Sequence, residues 1–210
     1  MNDEISISRE DFSRLNERVK RLAEEKSFLE LFTHLMGKMS SVSGLENTIS
    51  NLLQIILENI GGSNIIIYYL IDSQIFYADV LGRKEPIKEI NDSIVKKVFE
   101  TKTSFELQSS FDNTKLISSE FTKANIWAFP LQVGTELIAV VKIEDLYVTT
   151  GDLRFHLPTF FSYVAHILKN EILGYTKLMR AYNQLEEENN LRKEAEKELR
   201  TINDELEDRV

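Results

Sequence analysis

Near the C-terminus, Leu178, Ala181, Leu185, Glu188, Arg192, Ala195, Leu199, Ile202, Leu206 and Arg209 follow one another at alternating spacings of three and four residues. On an α-helix this spacing holds every position on one narrow stripe, the seam of a coiled coil. Between Pro158 and Val210 the only breaker is Gly174. The stripe outruns any apolar sequence that could fold back over it, so the spacing predicts a partner helix from a second copy of the chain. A second seam lies near the N-terminus, where Phe12, Leu15, Val19, Leu22, Lys26 and Leu29 repeat the rule. Ser8 with Asp11 three residues later gives that helix a weaker, Asp-for-Glu version of a capping box. Glu188, Arg192 and Lys26 interrupt the two seams with charge, which weakens a coiled coil locally while specifying its register.

Between the seams the pattern changes. Leu45, Ile49, Leu52, Leu53, Ile56, Leu57 and Ile60 form the broad stripe of an amphipathic helix, set off by Gly37 and Gly44 before it and Gly61-Gly62 after it. Asn64–Ile71 is continuously apolar and β-branched, as a strand buried on both faces requires. Asp72-Ser73 makes a turn into a second strand, Ile75–Leu81. Asp92 caps a helix to Thr101 with Ile94, Val95, Val98 and Phe99 inward. A short strand follows at Ser104–Leu107, then a polar stretch at 108–125 suited to a functional loop or a short helix over a pocket. Ile126–Val133 and Glu136–Asp145 form a hairpin about Gly134-Thr135, with Pro130 marking an edge or a bulge. Pro158 suits the first turn of the final helix, which packs through Phe160, Phe161, Val164, Ile167, Leu168, Ile172 and Leu173.

The net charge of −9 argues against a nucleic-acid surface, which needs clustered cations to displace counterions. The chain contains no cysteine, which removes disulfides, thiolate metal sites and cysteine nucleophiles together. No apolar run approaches the roughly 20 residues that span a bilayer, and Met-Asn-Asp-Glu is acidic where a signal peptide is basic. The expected location is cytoplasmic, with no membrane segment.

The order helix, strand hairpin, helix, short strand, loop, strand hairpin, long helix resembles the GAF family of sensory domains over roughly residues 28–173. Ala128-Phe-Pro-Leu131, the turn at Gly134 and Leu137-Ile-Ala-Val-Val-Lys-Ile143 are similar to that family's stretch of the same place, with Ala139 where a glycine is usual. The tail from Leu191 to Val210 resembles the linker helices that join sensor domains to histidine kinases or further sensory modules. The resemblance implies an α+β fold related to the PAS domains: a central antiparallel sheet with helices on one face, flanked by long N- and C-terminal coiled-coil helices. It divides the chain into an N-terminal coiled-coil helix at 1–30, a sensory domain at 31–173 and a C-terminal signalling helix at 174–210, leading to an output domain.

GAF members that reduce methionine sulfoxide or attach a bilin do so through cysteine, so the resemblance implies neither activity here and no enzyme. Asn113, Lys115 and Phe121 echo the signature of cyclic-nucleotide-binding members, but Asn125 stands where an acidic partner is wanted. No catalytic or metal-binding group stands out among the residues, and no cofactor is evident. His34, His156 and His166 read as packed or surface side chains; His166 is the alternative candidate for a haem ligand. The family's ligand face points to Tyr69, Tyr77, Phe105, Trp127, Phe129 and Lys142 as a pocket, although strand aromatics more often fill a core. Alternation along the last strand assigns Leu137, Ala139, Val141 and Ile143 to the helices, and Ile138, Val140, Lys142 and Glu144 to the pocket or solvent. The expected function is that of a parallel homodimeric input module of a signalling protein, of the sensor histidine kinase type. It would bind a small molecule or partner and pass the change through its coiled coil; the alternative is a ligand-free dimerisation spacer.

Overall fold

β1 (Asn64–Ile71) turns straight into β2 (Gln74–Asp79), and the two pair antiparallel from Ile66 opposite Asp79 to Ile71 opposite Gln74. The two-residue turn between them holds Asp72 and Ser73 at φ of 46° and 69°, the doubly positive geometry that matches the twist of a hairpin. In this computed structural model, which describes residues 9–110, 123–146 and 151–207, β1 is central. The sheet is antiparallel throughout, in the order β3-β2-β1-β6-β5-β4, with β3 at Lys84–Ile87, β4 at Phe105–Ser110, β5 at Lys123–Val133 and β6 at Glu136–Leu146.

One face carries the main core. Ile65, Ile67, Tyr69, Trp127, Ala139, Val141 and Ile143 meet α1 (Arg9–Ser40), α2 (Leu45–Asn59) and the first part of α4 (Gly151–Glu207). The short α3 (Ser93–Thr101) covers the other face through Val95 and Val98, against Ile66, Tyr68, Ala128 and Val140. The α+β fold, with the sheet packed on the terminal helices, is therefore the expected one.

Several details differ from the sequence reading, each for a local reason. α1 runs through Gly37 without a break, because that glycine faces open space and need not bend the chain. The sequence reading places no element between Gly82 and Asp92, where β3 carries Pro86. It is tolerated because β3 is the sheet edge, paired only to β2. α4 begins at Gly151, so Pro158 lies inside the helix and not in its first turn. Pro130 sits where β5 has run past β4, which ends with Phe105 opposite Ala128. β6 carries two irregularities. Leu131 and Gln132 of β5 oppose Ala139 and Leu137, and Asn125 and Trp127 oppose Leu146 and Ile143, so β6 holds an extra residue at each place. The first bulge reverses the expected alternation: Ile138 joins the core under the helices, and Leu137 packs on the α3 side.

Gly62 is the tightest point. With φ of +116° it lets the chain pass β6 so closely that a Cβ would lie 2.8 Å from the Ile143 side chain and 3.0 Å from the Glu144 carbonyl oxygen. Among the described residues, no helix is long and apolar enough to cross a membrane.

Candidate functional site

The α3 face is built from residues of all six strands and closed by a polar cluster. Asp92 caps α3: its Oδ1 accepts the backbone N–H groups of Ile94 at 2.9 Å and Val95 at 3.0 Å. Its Oδ2 accepts from Lys142 Nζ at 2.5 Å, and Glu144 Oε1 accepts from the same ammonium at 2.5 Å. Glu144 also accepts from Asn64 at 3.0 Å. Lys142 is only 6 % exposed. Burial alone would lower the pKa of its ammonium, but hydrogen bonds and attraction from Asp92 and Glu144 outweigh that and raise it. For Asp92, burial pushes upward and is overcome by Lys142 and the two backbone donors, so its carboxyl titrates below the ordinary range. A buried carboxylate, Asp79, accepts from Tyr77 Oη at 2.9 Å and from the N–H groups of Leu81 and Arg83, both at 3.0 Å. Burial, with the Asp79 hydrogen bond, pushes the Tyr77 phenol up to about 12.

The six residues expected to share a pocket are divided by the sheet. Tyr77, Phe105 and Lys142 lie on the α3 side, whereas Tyr69, Trp127 and Phe129 lie toward the helices. The cause is the two-residue period: Ala128 faces α3, so its neighbours on both sides cannot. Tyr69 stacks on Phe76 at 5.4 Å. Phe105, Trp127 and Phe129 do meet at the sheet edge, where with Ser104, Glu106 and Pro158 they line a cleft of about 320 Å³. Phe129 stacks there on Phe161 at 4.8 Å. Lys142, assigned by alternation to the pocket or solvent, is buried and held by two carboxylates of its own chain.

His34 and His166 are exposed on α1 and α4. Among the described residues no three histidine or carboxylate side chains converge to hold a metal ion. The cyclic-nucleotide-like residues Asn113, Lys115 and Phe121, most of the 108–125 loop, Ser8 and Tyr147 lie outside the described residues. So do the side chains of His156, Leu206 and Arg209.

The helices form the second functional element. Phe28, Leu31, Phe32 and Leu35 of α1 lie beside Leu157 and Phe160 of α4. Farther along, Ser40 Oγ and Tyr163 Oη are hydrogen-bonded at 2.6 Å, and Glu171 accepts from the Gly44 N–H at 2.9 Å. α1 and α4 therefore run parallel through the domain. The free half of α1 extends from one end and the free half of α4 from the other. On α1, Phe12, Leu15, Val19 and Leu22 are all more than half exposed, with Phe12 at 62 %. On α4, Leu178 and Leu199 reach 68 % and 67 %; Leu185, Ala195 and Ile202 are exposed as well.

A third feature had no counterpart in the sequence reading. Where α4 leaves the sheet, a groove of about 440 Å³ opens between that helix and the tips of the β1–β2 and β5–β6 hairpins. It depends on where two turns meet a helix distant from them in sequence. The only local hint is the spacing of Ile172, Thr176 and Arg180 along one side of α4.

No protein-family model and no curated protein matches the sequence. Similarity appears among solved structures. The GAF domain of the phosphoenolpyruvate-protein phosphotransferase from Acinetobacter superposes with a TM-score of 0.53 at 9 % identity, over 69 % of this chain and 93 % of that one. The GAF domain of nlh2 from A. aeolicus, in an inactive state, gives 0.50 at 15 % identity, over 67 % and 94 %. The free methionine-R-sulfoxide reductase of Neisseria meningitidis, in complex with its substrate, gives 0.50 at 9 %, over 70 % and 91 %. These likenesses establish a GAF-like fold, and the last shows that the fold itself does not exclude catalysis.

Proposed function

We propose that this GAF-fold chain is a homodimeric regulatory module that passes a conformational change from one pair of terminal helices to the other. The observation that carries this reading is the parallel passage of α1 and α4 through the domain, with apolar seams exposed at opposite ends. A seam of large side chains left in water is costly, and a second copy covers it at both ends by the same two-fold operation. In a parallel pairing each polar position meets its own copy: glutamates at 188, arginines at 192, lysines at 26. Such layers are weak, and a weak seam admits two packings close in energy. The similarity of residues 191–210 to linker helices supports delivery of that change to an output domain, of which a histidine kinase is the leading type. The proposed segments are 1–30 and 174–210 for pairing, and 31–173 for sensing.

The input is the open half of this reading. A small molecule or partner shifts the packing only if it binds the two states with different affinity. Among the described residues the α3 face is filled by Ile66, Tyr68, Val95 and Val98, and Lys142 is already paired. This favours the second reading, a module that pairs chains without a ligand on that face. No catalytic role is proposed, because sulfoxide reduction in GAF members works through cysteine.

The absence of cysteine makes the pairing directly testable. Single variants Leu185→Cys and Leu199→Cys in the full chain are expected to form disulfide-linked dimers under mild oxidation, since a parallel seam brings like positions within disulfide reach. Lys197→Cys, on the outer side of the helix, is expected to stay monomeric on denaturing gels. Equal crosslinking at all three positions, or none at any, overturns the parallel seam.

A further inference from the structure

The groove beside the α4 exit has the chemistry of a site that the GAF likeness does not supply. Its floor is apolar, made by Leu70 of β1, Leu137 and Ile138 of β6, and Ile172 and Leu173 of α4. The β6 bulge shapes it, since there Ile138 and Ala139 both join the core under the helices while Leu137 turns to the other face. Its rim carries Lys169, Lys177 and Arg180 against Asp72 and Glu136.

The three cations are committed to different degrees. Lys169 reaches Glu136 at 2.6 Å. Arg180 reaches Asp72 at 3.3 Å with both side chains more than 60 % exposed, a water-screened pair of little strength. Lys177 is exposed and makes no ion pair among the described residues. A chain of net charge −9 thus gathers loosely held positive charge at one edge of an apolar groove whose size is usual for small-molecule sites.

At about 100° per residue, Lys169, Ile172, Thr176 and Arg180 lie on the side of α4 away from Gly174, Leu178, Ala181 and Leu185. Lys177 lies between the two faces, on the flank of the seam, so the groove's floor and Arg180 remain open when the seam is occupied. Anything seated in it touches both the sheet's hairpins and the departing helix.

We propose that this groove binds an amphiphilic monoanion, such as a free medium-chain carboxylate. The apolar tail lies over Leu70, Ile138, Ile172 and Leu173, and the carboxylate lies between Lys177 and Arg180, drawing Arg180 off Asp72. The binding site rests on the groove's geometry alone; only its effect on signalling rests on the relay reading above.

The test is calorimetric titration of the full chain with decanoate below its micellar concentration, with chain mass measured by light scattering on the same samples. Saturable binding at one site per chain is expected. Lys177→Glu and Arg180→Glu, both on exposed positions, are each expected to weaken it at least tenfold, and Leu173→Glu likewise. Lys88→Glu, on the surface elsewhere, leaves it unchanged. No saturable binding, or the same affinity in all five proteins, overturns the site. Lost binding in a dimer that stays intact counts against the site and not the relay; a monomer that binds decanoate counts against the relay and not the site.

Discussion

Asp92 uses its two carboxylate oxygens for two tasks, one for the α3 backbone and one for Lys142. The tasks separate by mutation. Asp92→Asn keeps a capping oxygen but gives up the charge, whereas Asp92→Ala loses both and leaves the buried ammonium to Glu144 alone. Denaturant unfolding is expected to show the alanine variant losing about 2–4 kcal/mol and the asparagine variant clearly less. Because the Asp92 carboxyl titrates lower folded than unfolded, its contribution is present above the ordinary aspartate pKa of about 4 and is lost as pH falls through the depressed value. Unfolding midpoints measured from pH 7 down to pH 2 should therefore converge for the native chain and Asp92→Asn at the acid end. Thr48 offers the opposite case. Its hydroxyl is buried in α2 with no hydrogen-bond partner among the described residues, so Thr48→Val should raise stability by about 1 kcal/mol, read as a higher midpoint in urea. A sequence reveals Asp92 as a helix cap, but not that its free oxygen meets a lysine fifty positions away. The six-residue pocket failed to assemble for a simpler reason. Residues adjacent to Ala128 and to Tyr68 along their strands face the opposite side of the sheet, so aromatics from successive positions cannot share one pocket.

At the scale of elements, strands and helices with an internal signal emerged from the sequence close to their true bounds: Asn64–Ile71 as β1, and Asp92 as the cap of Ser93–Thr101. Elements set by their neighbours did not. β3 exists because β2 offers an edge that a proline can occupy, and the β6 bulges exist only in the pairing with β5, where Asn125–Val133 opposes Glu136–Leu146. Alternation assumes an unbroken period of two, so it misplaced Leu137 and Ile138. Gly62 binds these elements together at the start of β1. Gly62→Ala forces a Cβ into Ile143 and the Glu144 carbonyl and makes an alanine adopt positive φ. The expected cost is about 2 kcal/mol or more, measured by thermal unfolding, against a gain of about 0.5–1 kcal/mol for Gly37→Ala, where a Cβ meets open space inside α1.

For the whole molecule, the seam spacing that was plainest in sequence is also what the folded chain leaves uncovered. The fold explains the geometry of that exposure. Helices α1 and α4 share a direction inside the domain, tied by Ser40 to Tyr163 and by Glu171 to Gly44, and so emerge at opposite ends. Sequence could show two seams but not that they lie in series, because their relative direction is set by the core between them. The groove at the α4 exit is hidden from sequence for the same reason. The central claim is that two chains associate through these seams, and the mass of the full chain in solution tests it most directly. Multi-angle light scattering at micromolar concentration is predicted to give twice the chain mass of 24.3 kDa, falling to the single-chain value for the double variant Leu185→Glu, Ile202→Glu. A native chain that elutes at 24.3 kDa across that range would contradict the account.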